Sequence, residues 1–462
     1  MADKIGVAIL AAGEGTRLKM DVAKPLAPLQ GRVLVDFPID ECQKFIKSKR
    51  LKSLICAIIG HGKEKVKAHV QSRWPDVCFA EQKEQKGTAD ALRSYFNDCQ
   101  GAKDTDYTLV ICADTPVISK NEITTLFDHL LDRNLDAVAA TFEAKNPAGY
   151  GRIVRGAPGF HIVEHKDADK EILKIKESNA ALYIMKTSFA LEHLDDIGSD
   201  NKAREFYLTD LFKDEYQVEA VLFDSEAIFR GVNTLEQLEQ VDRSIRLRKM
   251  HALRDEGVRF MDLENTYVET TEIGEGTQIF PQVYIDNNSV IGKDVVVESG
   301  CIVRNSKIED GVHLKAYSHL EDCHVRSRAA VGPFARLRPG ADIGEESKIG
   351  NFVELKKSKL EKGVKVSHLS YVGDAEIGEE VNIGCGFITC NYDGAKKHKT
   401  VIGKGTFVGS DSQMVAPVNV GEKCFIASST TVTEDMPDGS FAISRNKQST
   451  KENMAKRFLK GS

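Results

Sequence analysis

The chain has 462 residues, 41% hydrophobic and 29% charged, the make-up of an ordinary globular protein long enough for two or three domains. Its net charge of −6 argues against a nucleic-acid binder, which needs a basic stripe, yet leaves small phosphorylated substrates open. No run of eighteen apolar residues occurs and residues 1–12 carry no basic flank before a long apolar stretch, so no membrane partner is expected and the reading is cytoplasmic. Ten cysteines without CxxC spacing are expected to be reduced thiols in small core positions, with Cys385 and Cys390 the pair of interest.

Taken in order, Gly6 to Leu10 is a short apolar strand that runs straight into Ala11, Ala12, Gly13, Glu14, Gly15, Thr16 and Arg17. A Gly-rich loop after a strand lets backbone N–H groups converge on phosphate oxygens, and Arg17 and Lys24 add two cations where a triphosphate would lie. Apolar strands at 54–59, 108–112 and 137–141 then alternate with helical stretches such as 122–131, which predicts an α/β sheet with ligands at the carboxyl ends of its strands. The strand at 108–112 ends in Ala113 and Asp114. A carboxylate there suits a hydrated Mg²⁺ that bridges phosphates, although the same Asp also suits a turn.

The run Leu10 to Arg17, then Lys24-Pro25, Gly87-Thr88-Ala89, Asp114, Gly149 to Arg152, Val163 to Lys166 and Gly231-Val232-Asn233 resembles the sugar-1-phosphate nucleotidyltransferases, over nearly all of residues 1–233. The resemblance implies a Rossmann-like α/β nucleotidyltransferase domain. It implies that Leu10, Ala11, Ala12, Gly13, Gln82, Gly87, Thr88, Cys112 and Ala113 surround the nucleotide, and that Arg17 and Lys24 neutralise UTP. Asp114 and Asn233 would hold Mg²⁺, and Gly151, Glu164, Asn179 and Asn233 the amino-sugar phosphate. Ala113 departs from the pattern, which commonly has Gly before the metal Asp.

Residues 234–257 place apolar side chains at Leu235, Leu238, Val241, Ile245, Leu247 and Leu253 among charges, with Gly257 closing, and predict an amphipathic connecting helix. The expected domains are therefore 1–233 and 258–462 around this linker.

Beyond it a branched aliphatic recurs every sixth residue, at Ile273, Ile279, Ile285, Ile291, Val297 and Val303. The ladder resumes at Val331, Leu337, Ile343 and Ile349, at Val366 and Val372, at Ile377 and Ile383, and from Ile402 through Val408, Met414, Val420 and Ile426 to Val432. Period six is neither helix nor simple strand alternation; it predicts a parallel β-helix of hexapeptide rungs that must stack to bury their faces.

A β-helix can be purely structural, so any chemistry must come from residues that interrupt the ladder. His368 is a candidate general base, Arg338 and Lys356 are cations suited to a phosphate, and the basic segment 391–400 has no rung residue and must loop out. The clusters at 336–340, 351–357, 367–371 and 382–394 are similar to the acetyltransferase half of the bifunctional bacterial enzymes that make UDP-N-acetylglucosamine.

That resemblance implies a left-handed β-helix, a homotrimer with its acetyl site between subunits, and acetyl-CoA as co-substrate. Arg338, Lys356, Tyr371, Asn382 and Lys397 would hold glucosamine-1-phosphate; Cys385, Asn391, Tyr392, Ser410, Ser428 and Arg445 would line the acetyl-CoA channel; His368 would be catalytic. The uridylyl product would start from N-acetylglucosamine-1-phosphate. Cys385 and the pair Ser428-Ser429 stand where the pattern usually has Ala, and Ala-Gly, so small residues are retained there. The alternatives are a single-activity nucleotidyltransferase whose β-helix only oligomerises it, and a non-enzymatic sugar-nucleotide sensor.

Overall fold

The computed structural model describes residues 3–156 and 159–459. It divides into two compact units, residues 1–245 and 246–462.

The first unit is built on a mixed sheet. Its strands are β1 (Lys4–Ala11), β2 (Lys52–Ile59), β3 (Cys78–Glu81), β4 (Tyr107–Cys112), β5 (Ala137–Glu143), β6 (Arg152–Arg155), β7 (Phe160–Val163), β8 (Glu177–Lys186) and β9 (Val218–Phe223). The order is β9-β5-β8-β4-β1-β2-β3, with β8 antiparallel to both neighbours and β6 and β7 attached as a hairpin beside β8. β1 lies between two parallel partners and is buried on both faces, which is why it reads as a continuous apolar run.

Its alternation sorts side chains between two cores. Ile5, Val7 and Ile9 join one with α1 (Asp36–Lys49), α2 (Lys63–Arg73) and α4 (Lys120–Asp132), while Ala8 joins the other with α3 (Thr88–Asp98) and α5 (Thr187–His193). α3 buries Ala89, Leu92, Tyr95 and Phe96 on one helical face, and α4 starts at a capping box between Ser119 and Glu122. In register, Leu10 at the end of β1 pairs with Cys112 at the end of β4, so the loops at 11–17 and 113–116 leave the sheet side by side.

The second unit is a left-handed parallel β-helix whose paired short strands form one ladder of 25. Every rung of the sequence ladder is buried in one continuous core. The structure adds rungs that strict hexads miss, Ile308, Leu314, Leu320, Val325, Leu355 and Leu360. The reason is coil length: Gln278 pairs with Val296, eighteen residues on, but Val296 pairs with His313, seventeen on, so one rung in some coils steps five residues instead of six.

Corners are tight. A Cβ on Gly350 would lie 1.7 Å from the Ser367 carbonyl oxygen of the next coil. Asn382 pairs with Phe407, twenty-five residues on, because the segment after Cys390 loops out before the ladder resumes at Thr400.

Helix α6 (Leu235–Asp255) carries the chain from one unit into the other. In the first unit Val241 packs with Leu18, Leu29 and Val232; in the second Met250 and Leu253 enter the β-helix core, and the buried Arg246 donates to the carbonyls of Leu263 and Thr266 at 2.7 and 2.5 Å.

The cysteines differ from expectation in two respects: Cys385 is exposed and not in a core position, and two others are paired. Cys78 and Cys99 are joined as a disulfide with Cα atoms 6.6 Å apart, because β3 and the end of α3 pack together although 21 residues separate the two in sequence. Cys42, Cys56, Cys112, Cys301, Cys323, Cys385, Cys390 and Cys424 are free thiols.

Candidate active sites

In the first unit a cavity of about 360 Å³ opens at the carboxyl ends of β1 and β4. Leu10, Ala11, Ala12, Gly13, Lys24, Gln82, Gly87, Thr88, Cys112, Ala113 and Asp114 all line it; Arg17 does not, and stands instead with its guanidinium donating to Asn233 Oδ1 at 3.1 Å. Gln85 and Glu205 also line the cavity. Neither belongs to a run with a recognisable spacing, and only the fold brings them in.

Gly87 is required for shape. Its φ of +122° disfavours any side chain, and a Cβ there would meet the Phe206 carbonyl oxygen at 2.4 Å. The Gln82 amide is fixed through Nε2, which donates to the Gly87 carbonyl and to Asp90 Oδ2, both at 2.9 Å, leaving Oε1 as an acceptor. Gln85 Nε2 donates to the Ala12 carbonyl at 2.5 Å and so ties segment 82–88 to the Gly-rich loop. Ala113 is almost fully buried in the core beneath the cavity it helps to line, with its N–H donated to the Leu10 carbonyl at 3.0 Å.

At the mouth of this cavity Lys24 Nζ donates both to Asp114 Oδ2 and, at 2.8 Å, to Asn233 Oδ1. Two hard oxygens thus converge on one cation, held together by the Val232 N–H, which donates to the Asp114 carbonyl at 2.9 Å. Oxygen donors converging on positive charge are the donor chemistry a divalent ion such as Mg²⁺ takes, and the pair fits it.

Gly151, Glu164 and Asn179 also converge, since a Cβ on Gly151 would lie 3.4 Å from Glu164 Oε1 and 3.5 Å from Asn179 Cβ. A bulge in β8 follows Asn179, which still pairs with Thr141, and the ladder resumes at Tyr183, with Ala181 between them at φ +53°. Asn179 Nδ2 then donates to the Tyr183 hydroxyl at 2.6 Å. Burial pushes the Glu164 carboxyl above the usual range, partly offset by a hydrogen bond from the Thr209 hydroxyl at 3.2 Å.

In the second unit, strands β10 (Lys348–Leu360) and β11 (Lys365–Ile377) pair through a whole coil and carry a second cluster. Asn351 stacks on His368, whose Nδ1 lies 2.9 Å from Asn351 Oδ1. An amide oxygen only accepts, so Nδ1 is the donor of this bond and Nε2 is the ring nitrogen outside it, in a side chain exposed to solvent.

Arg338 Nη1 donates to Glu354 Oε1 at 2.7 Å, and Glu354 stacks on Tyr371. The neighbouring Lys397 ammonium, and after it desolvation and the charge of Arg338, hold the Lys356 pKa below its ordinary value. Two ammonium groups facing each other make a ready site for an anion.

Asn391 Nδ2 donates to Asp374 Oδ2 at 2.5 Å and packs close to the Tyr371 hydroxyl. Tyr392, largely exposed, donates from its hydroxyl to the Gly394 carbonyl at 2.6 Å. The looped segment is braced by Asp393, held well below its usual pKa by the backbone N–H of Lys396, by His398 at 2.6 Å and by the backbone N–H of Ala395.

Cys385, Ser410 and Ser428 stack along the same edge in successive coils, linked by Asp411 N–H to the Cys385 carbonyl and Ser429 N–H to the Ser410 carbonyl. Arg445 donates to the Ser428 carbonyl at 3.0 Å. Asn382 lies on a face rather than in this line, paired with Lys365 and Phe407.

Residues 7–248 match the MobA-like NTP transferase domain family. The bifunctional protein GlmU of Pelobacter propionicus is 40% identical over 99% of this chain and 99% of its own, and that of Shouchella clausii 39% identical over 97% and 98%. The chain belongs to the GlmU family. It is a bifunctional enzyme of UDP-N-acetylglucosamine synthesis, with an acetyltransferase and a uridylyltransferase activity. Among the described residues no helix is long and apolar enough to cross a membrane.

Proposed function

We propose that the two sites work in series in the cytoplasm, where UTP and acetyl-CoA are at hand. Residues 258–462 acetylate glucosamine-1-phosphate with acetyl-CoA; residues 1–233, joined to them by the helix at 234–257, then combine N-acetylglucosamine-1-phosphate with UTP and release pyrophosphate.

In the acetyltransferase site Arg338, Lys356 and Lys397 take the sugar phosphate, Tyr371 and Asn382 orient the ring, and His368 Nε2 removes a proton as the amine attacks the thioester carbonyl. Cys385, Asn391, Tyr392, Ser410, Ser428 and Arg445 line the coenzyme's path, and no acyl-enzyme is needed. In the uridylyltransferase site Gln82 Oε1 accepts from the uracil N3–H. Leu10 to Gly13, Gly87, Thr88, Cys112 and Ala113 close around the nucleoside. Arg17 and Lys24 neutralise the triphosphate, Lys24 moving from Asp114 to the phosphates.

Asp114 and Asn233 would hold Mg²⁺, which when bound offsets charge on the phosphate oxygens. Gly151, Glu164, Asn179 and Asn233 seat the sugar phosphate for in-line attack on the α-phosphorus, a transfer that depends on positioning and charge neutralisation more than on a protein nucleophile.

A homotrimer completes this reading. Its support is an exposed stack beside His368: Tyr317, Phe334 and Phe352 lie ring on ring at 5.4 and 5.5 Å between centroids, and Leu369 extends the edge at 60% exposure. Such a stripe favours cover by further copies of the chain.

The observation that carries the acetyltransferase half is the contact of His368 Nδ1 with Asn351 Oδ1 at 2.9 Å across the paired strands β10 and β11. The test follows thiol release from acetyl-CoA on adding glucosamine-1-phosphate without UTP, with the particle mass measured in the same buffer. Release that His368→Ala stops supports the reading; no release from folded trimer would leave uridylyl transfer alone, with the β-helix as its scaffold.

A further inference from the structure

Segment 82–88, which carries Gln82, Gln85, Gly87 and Thr88 into the nucleotide cavity, is framed by β3 before it and α3 after it. The Cys78–Cys99 disulfide joins the first residue of β3 to the residue that ends α3, so one covalent ring encloses the whole segment. β3 is the edge strand of the sheet. Cys78 is half-buried there, the more accessible residue of the pair, whereas Cys99 is buried.

A third sulfur belongs to the group. Cys56 is the register partner of Cys78 on β2, and its Sγ lies within 4.8 Å of both bridged sulfurs. In a reducing compartment a protein disulfide is transient and regulatory more often than structural.

We propose that Cys78–Cys99 is a reversible redox modification site that tightens segment 82–88 around the nucleotide, exchanging with small-molecule disulfides and dithiols. The inference rests on the reading of that segment as nucleotide-binding.

For reduction, a thiolate of a small dithiol attacks Cys78 Sγ, the S–S bond breaks, and Cys99 Sγ leaves as a thiolate and takes a proton. The second thiol of the reagent then displaces Cys78, which is protonated in turn, and the reagent departs as its cyclic disulfide. Oxidation runs in reverse with a small disulfide, which is reduced to two thiols.

Cys56 does not compete. It is fully buried, and burial pushes its thiol up to about 12, so it stays protonated and is a poor nucleophile near neutral pH. Opening the ring leaves non-covalent ties, chiefly the Glu81 N–H donated to Asp98 Oδ2 at 3.0 Å. The segment then holds Gln82 and the strut from Gln85 to Ala12 less firmly, and the cost falls on UTP binding.

The full-length enzyme is equilibrated in glutathione buffers from oxidised to reduced, quenched by alkylation, and its bridges assigned by peptide mass spectrometry while pyrophosphate release gives KM for UTP. KM is expected to fall about fivefold as the bridge forms, the low end of typical coupling between a remote event and a binding site. Acetyl transfer should not respond. The double variant Cys78→Ser/Cys99→Ser should stay at the reduced KM in every buffer, and Cys56→Ser should keep both bridge and response.

Absence of the bridge under oxidised glutathione, a bridge that includes Cys56, or a bridge with unchanged KM overturns the proposal. Gln82→Ala separates the two layers. If it raises KM for UTP while the redox state does not, the clamp fails and the site reading stands; if it leaves KM unchanged, the site reading itself fails.

Discussion

Replacing Asn351 with Ala tests how the β-helix prepares His368. Asn351 Oδ1 is the group 2.9 Å from Nδ1, so its removal leaves the ring free to rotate and to exchange tautomers while Nε2 keeps its chemistry. One neutral hydrogen bond is worth about 1 kcal/mol, which corresponds to roughly a fivefold loss of acetyl transfer. Removing the base itself in His368→Ala should cost about 10²- to 10⁴-fold. The assay is thiol release from acetyl-CoA, with uridylyl transfer in the same preparations as the control for folding. Asn351→Asp adds a sign: a carboxylate beside Nδ1 favours the imidazolium, so the basic form of His368 appears only at higher pH and the rising limb of the pH profile moves up. If Asn351→Ala is as damaging as His368→Ala, or if the Asp variant leaves the limb in place, the orienting role is wrong.

Other outcomes follow from the same geometry. Asp114→Ala should abolish Mg²⁺-dependent uridylyl transfer, by about a hundredfold or more, and spare acetyl transfer, because it removes a charged oxygen from the Lys24 and Asn233 cluster. Glu164 has a folded pKa raised by burial, so its charged form costs stability at neutral pH and that cost is relieved as pH falls through the raised value. Glu164→Gln should therefore raise the melting temperature of the first unit while weakening N-acetylglucosamine-1-phosphate binding, and a lower melting temperature would contradict the assignment. Gly350→Ala forces a methyl group against the Ser367 carbonyl and should destabilise the β-helix by about 1–3 kcal/mol in denaturant melts. Lys356→Met should raise KM for glucosamine-1-phosphate and flatten its salt dependence, since one of the two facing ammonium groups is lost.

Much of this was legible in sequence because its signals are local or periodic. The ladder from Ile273 and the turn from Leu10 to Gly13 state their backbone needs in consecutive residues. What escaped depends on folded distance. The rungs at Ile308, Leu314, Leu320 and Val325 were hidden by a change of coil length that only the cross-coil register reveals. The Cys78–Cys99 bridge was hidden because a strand start and a helix end show no spacing rule. Gln85 and Glu205 enter the cavity at the ends of β1 and β4 from segments without a motif. Arg17, placed with the nucleotide residues, stands on Asn233 instead of in the cavity wall. Asn351 was visible only as part of a polar cluster, and its orienting contact appeared once β10 and β11 were in register.

The two units place chemistry by different rules, and each rule follows from what the fold must bury. In the first, the parallel strands are apolar on both faces and leave only their carboxyl ends free, so Gly13, Asp114 and Gln82 cluster where β1, β4 and β3 stop. In the β-helix there are no such free ends, because each strand runs into the next corner. Inward positions are fixed by the core, and freedom remains at outward positions and corners, which recur coil after coil along straight lines. Residues far apart in sequence therefore align at strand spacing: Asn351 with His368, and Cys385 with Ser410 and Ser428. On the proposed reading, a line of this kind suits a rod-like coenzyme, and the convergence of strand ends a compact nucleotide. The length added between Cys390 and Thr400 fits the same logic, since a loop leaves a stack of coils without breaking its register only at a corner, and here it delivers Lys397 to Lys356.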